Sequence, residues 1–197
     1  MNIWLVRHGA SESNDKKIFS KSLPLTSKGI SQAEWLRSYF SDKQIQHLYT
    51  SSLDRAKHTA DIIADSLAVE PIVACDLREV EYGELEGKPY SLAEQHYPEL
   101  FSIDPKHILS IKYPGGETHM DVHDRVSSWL DRTSSLWKAE ENIIIVTHAL
   151  IAKIIITILL DCPPNFFIKF KISNGSISRV QVLAGIGYLV DFNKTSS

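Results

Sequence analysis

Apolar residues along this chain fall into short runs and into stripes of helical period, and the two alternate. Asn2 to Val6 is a short apolar run that enters Arg7-His8-Gly9, the pattern of a buried strand ending in a loop. A polar loop follows to about Ser22, and Pro24-Leu25-Thr26 then opens a helix with Thr26 as its N-cap. Ile30, Ala33, Leu36 and Phe40 recur at helical spacing and give that helix its apolar face. His47 to Thr50 predicts a second strand. Ser51 or Ser52 caps a helix carrying Arg55, Ala60, Ile63 and Leu67, and Ile72 to Cys75 predicts a third strand.

Leu77 to Gly87 is a carboxylate-rich loop with Gly83 and Gly87 as turn residues. The stretch from Pro89 to Tyr113 is the least regular. It mixes Pro98 and Pro105 with exposed-looking apolar residues such as Phe101, Ile108 and Ile111, and is expected to be an inserted lid at about 89–113. Thr118 to Lys138 predicts a helix with Val122, Val126, Trp129, Leu130 and Leu136 inward. Ile143 to Val146 predicts a strand and Ala149 to Leu160 a buried helix. Three last strands fit Phe167 to Ile172, Ser176 to Leu183 and Tyr188 to Phe192. Alternating strand and helix predicts the α/β class: one domain over residues 1–197, a three-layer α/β/α sandwich with a mostly parallel central sheet and helices on both faces.

Composition narrows the picture. At 43% hydrophobic and 23% charged residues the chain matches soluble globular proteins and not disordered ones. A net charge of −3 gives no electrostatic case for nucleic acid or an anionic membrane surface, so an anionic substrate needs a local cluster of cations. A chain of 197 residues can build its core without a staple, and Cys75 and Cys162 are expected to be reduced. The N-terminal apolar run is short and followed by charge, unlike a signal peptide. The long apolar stretch from Ile143 to Leu160 holds Thr147, His148 and Lys153, which a bilayer would penalise. The cytoplasm is the expected location. Phe166, Phe167 and Phe170 offer apolar surface for a homodimer contact.

Candidate chemistry lies where buried strands give way to loops. His8 and His148 both follow such strands, and ligands of open α/β sheets bind beyond the strands' carboxyl ends. A neutral imidazole at His8, near arginines, is a plausible nucleophile, since nearby positive charge disfavours the imidazolium. Arg55, early in its helix, can bind phosphate oxygens in a fork; its bland reading is a solvated helix face. Glu79 and Glu81 alternate in an extended segment and share a face, so either can serve as proton donor; the bland reading is a pair of solvated loop glutamates. His148 opens a helix whose amides and dipole favour an anion, or else it is a satisfied core histidine. The two cysteines are isolated, and no glycine-rich phosphate loop or dinucleotide fingerprint occurs, so neither metal nor nucleotide cofactor is expected.

In order, the chain carries Leu5-Val6-Arg7-His8-Gly9 with Ser11 and Asn14, then Pro24-Leu25-Thr26-Ser27-Lys28-Gly29 with Gln32-Ala33. Next come Ser51-Ser52-Leu53-Asp54-Arg55-Ala56 with Thr59-Ala60, and Leu77-Arg78-Glu79 with Tyr82-Gly83 and Glu86-Gly87. Pro114-Gly115-Gly116-Glu117-Thr118 and Val146-Thr147-His148 follow. This series resembles the histidine phosphatase superfamily, also called phosphoglycerate mutase-like, and covers the chain to about residue 160. The resemblance implies that His8 is the phosphorylated nucleophile and Glu79 the general acid and then base, with Glu81 its competitor. It implies a phosphate pocket of Arg7, Arg55 and His148, with Asn14, Ser20 and the backbone amide of Ala149 as further donors. Departures are Ala10 after Arg-His-Gly, and Ala149-Leu150 where many relatives have two small residues.

Between Pro89 and Pro114 the only lysines are Lys106 and Lys112, amid Phe101, Ile103, Ile108, Leu109 and Ile111, and there is no arginine. A mutase would need more cations there. The expected activity is therefore phosphomonoester hydrolysis of a small metabolite with an uncharged body, resembling the branch of α-ribazole and broad-specificity phosphatases. Phosphoglycerate mutase-type transfer and a non-catalytic phospho-ligand binder are the alternatives.

Overall fold

A computed structural model of the chain describes residues 1–20, 23–101 and 104–196. Ser22 and Ile103, named above, lie outside the described residues. The elements are β1 (Asn2–Arg7), α1 (Glu12–Lys16), α2 (Ser27–Phe40), β2 (His47–Ser51), α3 (Asp54–Ala64), β3 (Pro71–Ala74), α4 (Tyr90–His96), α5 (His119–Ser134), β4 (Asn142–Thr147), α6 (Ala149–Leu159), β5 (Ile177–Leu183) and β6 (Ile186–Lys194).

One sheet runs in the order β3-β2-β4-β1-β5-β6, and every strand but β5 points the same way. Successive residues of a strand face opposite sides of the sheet, and here each side is a core. Ile3, Leu5, Ile143 and Ile145 pack with Val122, Val126 and Trp129 of α5 and with Ile151 and Ile155 of α6. Trp4, Val6, Ile144 and Val146 pack on the opposite side with Leu36 and Phe40 of α2 and Ala60 and Ile63 of α3. The result is the expected three-layer α/β/α sandwich of one domain, with buried central strands that read as unbroken apolar runs. Cys75 and Cys162 are free thiols. Among the described residues no helix is long and apolar enough to cross a membrane.

The helix starts follow local chemistry. The Thr26 hydroxyl accepts the Gly29 amide at 3.2 Å, and the Thr118 hydroxyl and the Asp121 carboxylate cap α5 reciprocally. Ser51 does not cap α3 as an N-cap residue; that position is Leu53, whose amide reaches back to the Ser51 hydroxyl at 3.2 Å.

Several expectations are corrected. Ile30 is 39% exposed and Gly29 takes the buried position, because a close backbone contact occupies that side of α2. Leu67 lies beyond the end of α3 at Ala64. Leu136 is 69% exposed because α5 stops at Ser134; Trp137 turns inward instead and donates to the Tyr49 hydroxyl at 3.1 Å. Ile108 and Ile111 are buried, while Phe101 is exposed as expected. Phe167 to Ile172 is not a strand. Pro163 and Pro164 lack amide donors and start a 3₁₀ stretch, Pro164–Lys169, and the Ile172 carbonyl is taken by the Arg7 guanidinium at 2.7 Å. The polar loop after β1 contains α1, a single short turn of helix.

Register places the two histidines. Arg7 pairs with Thr147 in the parallel β1/β4 ladder, and the His8 amide donates to the Thr147 carbonyl at 2.9 Å, so His8 and His148 leave the sheet side by side. The loop after His8 is pinned against α2: a Cβ on Gly9 would overlap the Gly29 carbonyl, and one on Gly29 would overlap the Ala10 carbonyl. Gly29→Ala is therefore expected to lower stability by roughly 2 kcal/mol in urea denaturation, although alanine is the better helix former. A loss below about 0.5 kcal/mol would show that loop and helix can part at no cost.

Candidate active site

Three loops at the carboxyl edge of the sheet bring His8, Arg55 and His148 into one buried cluster. The His8 and His148 rings lie 5.1 Å apart between centroids. His8 Nδ1 is 2.7 Å from the Gly9 carbonyl, and Arg55 Nε is 3.1 Å from His8 Nε2. A carbonyl only accepts and a guanidinium only donates. The proton therefore sits on Nδ1, and Nε2 carries a lone pair facing Arg55. Burial, then the charges of Arg55 and Arg7, push the His8 pKa well below the ordinary imidazole range. His8 is a neutral imidazole of fixed tautomer.

The neighbours are held in turn. Arg55 donates from Nη1 to the Ser20 carbonyl at 3.0 Å; the contact Ser20 makes here is thus through its backbone. The Thr59 hydroxyl donates to the Arg55 carbonyl at 2.8 Å and accepts the Gly9 amide at 3.2 Å, tying α3 to the loop after β1. Sequence reasoning gave Thr59 no role, although it stands four residues after Arg55 on the same helix face. Arg7 is anchored at the Ile172 carbonyl, and its Nε is buried with no partner among the described residues.

His148 Nε2 lies 2.8 Å from the Ser51 hydroxyl, and its Nδ1 is likewise buried without a partner among the described residues. Burial and then Arg55, His8 and Arg7 push its pKa well below the ordinary imidazole range. Ala149 is the first residue of α6, where amides have no intrahelical acceptor. Asn14 is less committed to this centre: its Oδ1 accepts from the Ser11 amide, the Ser11 hydroxyl and Asn174 Nδ2 at 2.9–3.1 Å.

Glu79 and Glu81 part company. Glu81 Oε1 is paired with Arg78 Nε at 3.2 Å. Glu79 lines a cavity of about 300 Å³ together with Ala149, Leu150 and Lys153. The loop between them is clamped from below. Arg125 forks onto both Glu117 oxygens at 2.8 and 3.0 Å and donates to the carbonyls of Asp76 and Glu79, while Glu117 accepts the Glu81 amide at 2.9 Å. Burial alone would raise the Glu117 pKa, but Arg125, the Glu81 amide and Arg78 hold it below its usual range. Much of the remaining wall is aromatic, with Phe19, Tyr82, Tyr90, Tyr113 and Phe167 beside the aliphatic Val80 and Leu100. Lys106 and Lys112 do not line it. Among the described residues no group of three or more His, Cys, Asp or Glu could hold a metal ion.

A family model described as histidine phosphatase superfamily (branch 1) matches residues 3–195. The chain belongs to the histidine phosphatase superfamily. It is a phosphatase of that family with relatives across its whole length. Adenosylcobalamin/α-ribazole phosphatase of Salmonella typhimurium is 26% identical over 98% of this chain and 96% of its own. A Hydrogenobacter thermophilus protein provisionally named phosphoserine phosphatase 2 is 32% identical over 98% of this chain and 95% of its own. The crystal structure of α-ribazole phosphatase from Shigella flexneri superposes with a TM-score of 0.89 at 26% identity, covering 98% of this chain and 96% of that one.

The paired histidines of this histidine phosphatase have a consequence for stability. Unfolded, each regains an ordinary pKa of about 6.5 and takes up a proton in mild acid that the folded site refuses. The unfolded state then binds more protons, so stability rises with pH below about 6.5 and falls as pH is lowered through that window. Each histidine contributes up to about 1.4 kcal/mol per pH unit. His119, also depressed mainly by burial, adds to the same slope. Urea unfolding between pH 6.5 and 5.5 should show that slope, and His148→Gln should remove about one histidine's share. A pH-independent stability there would mean the rings are protonated in the fold.

Proposed function

We propose that this histidine phosphatase hydrolyses a small phosphomonoester through a phosphohistidine on His8, and that residues 89–113 cap the substrate's body. One observation carries the reading: the His8 lone pair at Nε2 faces Arg55 in a buried centre where Arg7 Nε and His148 Nδ1 are donors without a partner among the described residues. The phosphoryl group takes its place between Arg7, Arg55 and His148, where the orphaned Arg7 Nε and His148 Nδ1 and the Ala149 amide are available as donors. Asn14 and Ser20 are outer donors at its edge. A dianion there reverses the electrostatic balance on His148 and draws a proton to it.

Chemistry then proceeds in two balanced steps. Nε2 forms the P–N bond as the ester P–O bond breaks, and the Glu79 carboxyl gives its proton to the leaving oxygen. Glu79, now a carboxylate, takes a proton from water; the water oxygen attacks phosphorus, the P–N bond breaks and His8 recovers its lone pair. Glu79 is favoured over Glu81 because it lines the cavity while Glu81 is engaged by Arg78. Hydrolysis is favoured over mutase-type transfer because neither insert lysine reaches the cavity. The aromatic wall suits a leaving group with ring or apolar surface, in keeping with the names of the α-ribazole phosphatase relatives.

Turnover of p-nitrophenyl phosphate separates an enzyme from a pure phospho-ligand binder, which would give none. His8→Ala should abolish that turnover and the acid-labile phosphoprotein trapped on rapid quench, leaving the circular dichroism unchanged. Substantial remaining activity rules out the histidine route. Glu79→Gln should slow alkyl phosphates by roughly 10²–10⁴ but p-nitrophenyl phosphate much less, since a good leaving group needs no proton. Equal slowing of both removes Glu79 from the acid role.

A further inference from the structure

Lys153 is out of place by every measure except the site. It interrupts the apolar helix α6, whose other residues over 149–159 are alanine, leucine, isoleucine and one threonine. It lines the same cavity as Glu79, whose charge favours the ammonium from a distance, yet among the described residues the ammonium makes no direct ion pair or hydrogen bond. Burial outweighs that long-range attraction and holds its pKa below the ordinary lysine value, so a directly bound anion would relieve the cost. The nucleophile centre is already furnished with Arg7, Arg55 and His148. Lys153 is also four residues past Ala149, on the same helix face and one turn deeper, about 6 Å along the axis.

We propose that Lys153 is a specificity-determining residue that receives a second acidic group on the substrate's body, so that the preferred phosphomonoester is a compact, ring-bearing or apolar molecule with a carboxylate or equivalent anion about one helical turn from the phosphorus. This rests on the phosphomonoesterase reading and replaces the expectation of an uncharged body, which counted only the lysines of the insert. The other groups facing this part of the cavity are compatible with it. His119 donates from Nδ1 to the Ile108 carbonyl at 2.7 Å, and burial, which outweighs that contact, holds its pKa below the ordinary imidazole value; the phenols of Tyr82, Tyr90 and Tyr113, whose ionisation burial opposes, assist as neutral donors. Among the described residues Glu79 is the one carboxylate lining the cavity, and its charge acts on Arg7 as well as on Lys153.

The test compares 3- and 4-carboxyphenyl phosphate with the matching neutral carboxamidophenyl phosphates. The wild-type enzyme should favour at least one carboxylate over its amide. Lys153→Met should raise KM for that carboxylate roughly tenfold to a hundredfold, leave KM for the amides unchanged, and be rescued in part by Lys153→Arg. Equal changes for acid and amide would overturn the proposal and place Lys153 with the phosphoryl group or Glu79. So would a wild-type enzyme without preference. Calorimetric titration of the same esters keeps the two readings apart. Lys153-dependent binding of the carboxylate without turnover of any ester sinks the phosphatase reading alone, whereas turnover without that dependence sinks this one.

Discussion

Arg55 can only donate and the Gly9 carbonyl can only accept, and His8 is held between them. This pair of one-way partners decides the tautomer before any substrate arrives, because no other placement of the proton satisfies both ends. The same guanidinium that aligns Nε2 also helps to keep it uncharged, since an imidazolium would sit buried against two arginines. Orientation and basicity therefore come from one contact. The remainder of the architecture exists around it: the β1/β4 register brings His8 and His148 together, and Thr59 and the Gly9–Gly29 approach fix the loop against α3 and α2.

A second device works on the opposite wall. Glu117 is consumed by Arg125, Arg78 and a backbone amide, and Arg125 holds the Glu79 carbonyl, so the backbone carrying Glu79 is rigid while its carboxylate stays on the cavity surface. A buried ion pair is weak evidence for stability. Here its geometric effect is the clearer one, since the bidentate fork fixes the direction of the loop. Removing Glu117 would leave Arg125 uncompensated and release two carbonyls and one amide that now define where Glu79 stands.

Legibility in the sequence followed the range of the forces. Central strands were visible because β1 and β4 are buried on both faces and must be apolar throughout, and α2 and α5 began where Thr26 and Thr118 cap them. Ends were harder. Leu136 matches the helical stripe of α5, but the helix stops short and Trp137 wins the interior with its hydrogen bond to Tyr49. Phe167 to Ile172 has strand composition, yet its carbonyl at Ile172 is spent on Arg7, a contact between residues far apart in sequence. His8, Arg55, His148 and Glu79 were legible as an ordered series of motifs. The network of Arg125 and Glu117, and the place of Lys153 in the cavity, depended on tertiary packing that no local pattern encodes.

A cation in an apolar helix was read from sequence only as an argument against a membrane. The fold gives it another meaning. The helix that opens at His148 places Ala149 at its first position and, a turn later, Lys153, and both line the cavity beside the aromatic side chains. Because both groups ride on one rigid element, their separation is fixed by helical geometry and not by side-chain chance. A site whose His8 imidazole is oriented by a single arginine thus has a second fixed point of positive charge. The aromatic rings that line the cavity with Lys153 lower the effective dielectric there and strengthen whatever electrostatic contact a bound molecule makes with it.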